Sequence, residues 1–268
     1  MHFDRVCNRT GLFPSDLEDD KRCVTPGARR ATRLNCARRQ ESLTMRRMVA
    51  FTIFVGALLP AATAPARAQD ESSGQEIRLF NGRDLSGWDY FLVDESAKME
   101  DVWSVEDGIL VVQGEPRGYL YTQNDYENFR LVAEWRWPGE PGNSGVLMRI
   151  TGEPMMLPNC VEAQLQSGNA GDMYGFQGFK ISGDEERLSE IPRLQGWGLT
   201  KIEGNENEPG EWNRYEITAA GDRITLIVNG KKVNEATDVD VRPGRIGLQS
   251  EGGVIHFRTV TLTPLAGR

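Results

Sequence analysis

From residue 77 to the end of this 268-residue chain, no long segment repeats its apolar residues at helical spacing. Short runs alternate polar and apolar instead, with turn residues between them. That period sends successive side chains to opposite faces of an extended strand. Residues 103–106 and 109–112 flank Asp107-Gly108, and residues 223–228 run into Asn229-Gly230, both strong hairpin signals. Residues 129–137 stop at Pro138-Gly139, and 213–219 lead into Ala220-Gly221-Asp222. Residues 245–249 and 254–260 read as a final pair joined around Gly252-Gly253. About ten short strands with regularly spaced turns predict an all-β, antiparallel sandwich or barrel of one domain. Residues 165–208, rich in Gly, Asn and charge, read as a long functional loop. Trp88, Trp103, Trp135 and Trp212 fall in strand patterns and read as core.

The first 68 residues do not share this pattern. Residues 1–44 hold Cys7, Cys23 and Cys36 and many arginines, with no apolar periodicity. Either they are an over-extended reading frame or a disordered basic extension. From Met45 the layout is that of a secretory signal: Arg46-Arg47, an apolar run over 49–59, and small residues ending at Ala68. Cleavage near Ala68 would leave a polar lead-in over 69–76 and a domain over 77–268. Residues 69–268 carry 19 Lys and Arg against 33 Asp and Glu, a formal charge of −14. Such a chain is repelled by phosphate backbones, which disfavours nucleic acid as a partner. Cys160 stands alone there, so no internal disulfide is available and no lipid-anchor cysteine lies at the cleavage point. The expectation is an exported protein, periplasmic or secreted, without a membrane anchor. The sequence leaves its oligomeric state open.

Asn143-Ser144-Gly145-Val146-Leu147-Met148-Arg149 and Val161-Glu162-Ala163-Gln164-Leu165 both alternate in this way. Paired as neighbouring strands, they would bring a guanidinium, a carboxylate and an amide to one polar surface. Charged groups rarely lie under a core unless paired, so a cleft for a polar ligand is one reading. A structural ion pair between Glu162 and Arg149 is the other. Gln164 either orients a ligand or satisfies loop backbone. Asp172 either joins Glu162 in an oxygen-ligand set for a divalent cation or closes an Asx turn. With only His256 and Cys160 in residues 69–268, a nitrogen–sulfur zinc set is not available. Trp197 is either a stacking platform for a sugar ring or a loop anchor.

Several segments in one order resemble the DUF1080 family, also called the 3-keto-disaccharide hydrolase domain. They are Leu79-Phe80-Asn81-Gly82-Arg83-Asp84-Leu85-Ser86-Gly87-Trp88, Trp103-Ser104-Val105-Glu106-Asp107-Gly108, and Asn143-Ser144-Gly145 with Arg149. Glu162-Ala163-Gln164, Gly168-Asn169-Ala170-Gly171-Asp172, Gly210-Glu211-Trp212-Asn213 and Gly247-Leu248-Gln249-Ser250-Glu251-Gly252 follow. The resemblance implies a concanavalin-like, glucanase-like jelly roll acting on sugars oxidised at C3. Two positions depart from it. Glu251 stands where many members carry a histidine after the Gly-Leu-Gln motif, and Gln166-Ser167 follow Glu-x-Gln where others carry an aspartate.

A ketone at C3 acidifies the C2 hydrogen, because the carbanion delocalises as an enolate. A base can then remove that proton while the C1 substituent leaves. Water addition to the enone completes a net cleavage. The implied roles are Glu162 as base and Arg149 as enolate stabiliser. Asn143, Ser144, Gln164, Asp172, Trp197, Gln249 and Glu251 are the candidate sugar contacts. A lectin-like module and a two-carboxylate glycosidase are the competing functions.

Overall fold

A computed structural model of the chain describes residues 74–267. The expectations for residues 1–44, the export signal and the start of the lead-in lie outside the described residues. Two antiparallel sheets of eight strands each form a jelly-roll sandwich. The first runs β14 (Lys231–Ala236), β13 (Arg223–Val228), β12 (Asn213–Ala220), β6 (Phe129–Arg136), β16 (Ile255–Pro264), β4 (Ile109–Val112) and β3 (Trp103–Glu106). The short β1 (Ile77–Arg78) pairs with the far end of β16. The second runs β10 (Leu188–Ile191), β11 (Gly196–Leu199), β9 (Met173–Phe176), β8 (Asn159–Gln164), β7 (Gly145–Thr151), β15 (Arg245–Ser250), β5 (Gly118–Thr122) and β2 (Trp88–Leu92). One helical turn, α1 (Met99–Val102), leads into β3.

The hairpin signals act as read. Asp107 and Gly108 have φ of 50° and 80°, and Asn229 and Gly230 have 50° and 82°, the two consecutive positive values that suit a two-residue strand reversal. The Gly252-Gly253 expectation fails. β15 lies in the second sheet and β16 in the first, so these glycines carry the chain across the sandwich rather than closing a hairpin. A Cβ at Gly142 or Gly114 would overlap their backbone, which shows how closely three segments meet there. The long-loop expectation for 165–208 also fails in part, because β9, β10 and β11 lie inside it. Their sequences, MYGF, LSEI and GWGL, are four residues each and two of them are broken by glycine, too weak a pattern to read as strands.

β12 alternates buried and half-buried residues along its whole length, as a strand with one covered face should. β7 and β8 are instead buried on nearly every residue. Val146, Met148, Val161 and Ala163 enter the main core with Leu120, Leu248 and Trp135. Leu147 and Cys160 lie on the other face, in a second cluster with Tyr119, Ile150, Phe176 and Leu194. The middle of the second sheet is thus covered on both sides.

Arg149 lies within this doubly covered stretch of β7. Its φ is 55°, and the β7–β8 register shifts between Met148 and Thr151. Such an irregularity re-aims a side chain that plain alternation would leave among its strand neighbours. The guanidinium is fully buried and donates only to main-chain carbonyls. Nε and Nη2 reach Glu127 O at 3.1 and 2.8 Å, Nη1 reaches Asp240 O at 2.6 Å, and Nη2 reaches Gly221 O at 2.9 Å. It therefore ties the turn between β12 and β13 to the segments entering β6 and β15. Arg149→Met would leave three carbonyls without a charged donor and should lower the unfolding free energy by about 3 kcal/mol or more. Urea denaturation checks this; an unchanged midpoint would show that the clasp contributes nothing.

Candidate active site

On the outer face of the second sheet, directly paired residues form a row: Tyr121, Gly247, Leu147, Glu162, Tyr174 and Gly198. Partners across antiparallel strands share a face, so this row is one surface. Beside it, Tyr119 pairs with Gln249 on β15, and Gly145 pairs with Gln164 on β8. Gly145 opens the space. A Cβ there would collide with Oε1 of Glu162 and Oε1 of Gln249, so both side chains lean over the same glycine from opposite sides. Only a residue without a side chain permits that approach.

Glu162 is 3% exposed, and its buried Oε1 has no hydrogen-bond partner. Gln249 is fully buried, with neither its Oε1 nor its Nε2 partnered. Buried polar atoms left unpaired cost about 1–3 kcal/mol each, so a fold that keeps several in one place holds them for a use. Burial pushes the Glu162 carboxyl well above its ordinary 4.5, and the neighbouring carboxylates of Glu251 and Asp172 push it further. Glu251 is also raised by burial, against the pull of Arg117 and Arg193. Burial, then Asp172 and Glu162, raise the Tyr174 phenol. These are three proton-holding groups, two carboxyls and a phenol, on one patch, with the Gln249 amide on β15 able to donate and accept.

The other expected contacts separate. Arg149 does not reach this patch: its donors are spent on the three carbonyls, and its nearest charges are Glu127, Arg242 and Asp240. The role of enolate stabiliser is therefore withdrawn from it, as is the Glu162–Arg149 ion pair. Gln164 turns back, its Oε1 accepting the N–H groups of Leu165 and Gln166, both at 2.8 Å. Ser144 Oγ donates to Gln249 O at 2.9 Å and so fixes the strand that carries Gln249. Asn143 is held by its backbone N–H on Gly252 O at 2.7 Å, while its buried Oδ1 has no partner.

Asp172 is near enough to raise Glu162, but its Oδ1 accepts the Lys201 N–H at 2.8 Å, and the Lys201 ammonium lies 3.6 Å away. A carboxylate already held by a lysine is a poor cation ligand. Among the described residues no three His, Cys, Asp or Glu side chains are grouped to hold a metal. Trp197 sits beside Gly198, so alternation turns it to the opposite face from Glu162, and it is no platform for this patch. Trp212 is not core either; it is sandwiched between Arg136 and Arg258, 4.7 and 4.5 Å from its ring centre.

Tyr119, Tyr174, Arg117 and Arg193 were not singled out in the sequence. The tyrosines carried a usable signal, since each alternates with a core residue and so had to face the other way. The arginines carried none, because they come from connections. The same face holds a depression of ≈ 180 Å³ lined by Tyr119, Tyr121, Asp125, Ile150, Pro154 and Arg245. Arg245 stacks 4.8 Å from the Tyr121 ring centre.

The pattern of one family, described as a 3-keto-alpha-glucoside-1,2-lyase-like domain, matches residues 75–263. The chain belongs to this family. The lyase-like domain thus takes in every described strand but for the last residue of β16, and the whole patch. No curated protein matches the chain. Among solved structures, one candidate glycosyl hydrolase from Parabacteroides distasonis superposes with a TM-score of 0.53 at 22% identity, covering 71% of this chain and 94% of its own. A second from the same organism gives 0.51 at 25% identity, covering 72% and 100%. These likenesses agree with the jelly-roll fold, and with the family they make a carbohydrate-active domain.

The raised Glu162 carboxyl has a consequence for stability. The fold holds its proton more tightly than the unfolded chain does. Its favourable contribution is therefore complete below about 4.5 and is lost as pH rises toward the folded value. Glu162→Gln removes that loss. The variant should melt progressively higher than the parent above pH 4.5, and the gap should close in acid. Thermal melts across pH check this, and a gap that narrows with rising pH would contradict it.

Proposed function

We propose that this domain cleaves 3-keto-glycosides by elimination, with Glu162 as the base. The observation that carries this is a buried, unpaired Glu162 carboxyl leaning over Gly145 beside the unpaired Gln249 amide. A carboxylate of ordinary pKa is a weak base toward carbon, and burial beside two other carboxylates strengthens it. Ionised Glu162 takes the C2 proton, and the C2–H electrons form the C1–C2 double bond of the enone. Gln249 Nε2–H donates to the C3 oxygen as negative charge develops there, in the role first expected of Arg149. The C1–O bond breaks and the departing oxygen takes its proton from Glu251. Water adding to C1 would then complete a hydrolysis.

Burial raises both Glu162 and Glu251, and Glu251 raises Glu162 further; the productive form carries one proton, on Glu251, and leaves Glu162 ionised. The Tyr119, Tyr121 and Arg245 depression suits the departing group. The family match supports the 3-keto sugar as substrate, and the export-type segment over 45–68 supports a periplasmic or secreted site of action. No step of this reading is routed through a divalent cation.

A conventional glycosidase also uses two carboxyls, and a lectin uses none, so the decisive assay pairs a 3-keto-α-glucoside with its parent glucoside. Cleavage of the ketone alone is expected. Cleavage of both would favour the glycosidase, and binding without turnover would favour the lectin. Glu162→Gln should lower turnover about 10²–10⁴-fold, the range for losing a positioned base. Gly145→Ala, which displaces both side chains, should cost about 10²-fold. The pH–rate profile should be bell-shaped, and Glu251→Gln should remove its alkaline limb; a limb that persists would take the acid role from Glu251.

A further inference from the structure

Trp197 lies on the face of the second sheet turned away from Glu162, yet its indole is 40% exposed, the largest side chain among the exposed apolar residues. It pairs across the β10–β11 hairpin with Glu190, so the two side chains stand next to each other on one face. Together with Gly178, Phe179, Lys180, Gln195 and Gly196 they line a depression of ≈ 190 Å³. Phe179 lies at the back of the depression with its ring buried in the core, so the Trp197 indole supplies the accessible aromatic surface. The side chains of Lys180, Glu190, Gln195 and Trp197 make no hydrogen bond or ion pair within the protein among the described residues. A cation, an anion, an amide and an indole N–H are thus left free around one aromatic plane.

Their charges choose the ligand. Lys180 offsets Glu190, and Arg242, which stacks 4.7 Å from the Phe179 ring centre, is paired with Asp240 at 3.0 Å. A site without net charge in an acidic domain does not select phosphate or a uronic acid. An exposed indole beside mixed donors and acceptors fits the apolar face and hydroxyl rim of a neutral sugar. The volume is below the range of drug-sized pockets and suits a single ring at a time.

We propose that the Trp197 depression is a second, non-catalytic binding site for one ring of a neutral glycan. It is separate from the Glu162 patch and stands whether or not that patch acts on 3-keto sugars. Such a site would hold the domain on a glycan while the opposite face works on a shorter substrate.

Titration of the purified chain with maltohexaose, cellohexaose and laminarihexaose, followed by calorimetry and tryptophan fluorescence, tests this. At least one should bind saturably, and Trp197→Ala should weaken that binding about 10-fold or more, the scale of one aromatic contact. Glu162→Gln should leave it unchanged. Should Trp197→Ala lower the melting temperature, Glu190→Ala carries the same comparison without touching the ring. The proposal is overturned if none of the three hexasaccharides binds. It is equally overturned if the Trp197 and Glu190 variants bind like the parent, or if Glu162→Gln abolishes the binding, which would put the glycan in the other site.

Discussion

A sheet covered on both faces leaves a polar side chain nowhere to be solvated, so each one must find a partner inside or remain unpaired. That constraint acts on β7, β8 and β15 and sorts their polar residues into two kinds. Arg149 and Gln164 are spent on main-chain groups and hold turns in place. Glu162 and Gln249 are not spent on anything. The charged residue that looked most like a catalytic cation is a structural clasp, while an amide in the next strand keeps its donor free.

The same constraint explains the electrostatics. Glu162 is raised first because water is excluded, and only then because other carboxylates lie near. Glu251 shares the burial but has Arg117 and Arg193 to oppose it, so two carboxyls of the same ordinary strength part company. Both carboxyls are still raised, Glu162 the more strongly, so the proposed elimination runs through the form in which the proton has passed to Glu251 and Glu162 is the ionised base. Gly145 makes the pairing possible by contributing nothing at all above its backbone.

Much of the fold was legible from period and punctuation. The Asp107-Gly108 and Asn229-Gly230 reversals, the alternation of residues 213–219 and the burial of Trp88, Trp103 and Trp135 needed no tertiary information. β9, β10 and β11 escaped because glycine interrupts two of them and four residues cannot show a period. Glu162 was legible as a charged residue in an apolar strand. Arg149 was equally legible and read wrongly: alternation places it beside Glu162, and only the backbone irregularity after Met148 turns it elsewhere. Gln249 could be ranked only once the register set it across from Tyr119. Trp197 was left open between an exposed platform and a buried loop anchor, and which face it served depended on a hairpin the sequence did not show.

The glycine crossing near Glu251 sets how that residue is aimed. Gly114, Gly142 and Gly253 bring three main chains into contact with no side chains between them, and Gly252 accepts the Asn143 N–H at 2.7 Å. Glu251 is the residue just before this junction. Its reach toward Glu162 is therefore governed by where two sheets are stitched together, not by the packing of its own strand. Mutations that loosen the seam between the sheets would shift the proposed acid from a distance, leaving every group in the patch itself intact.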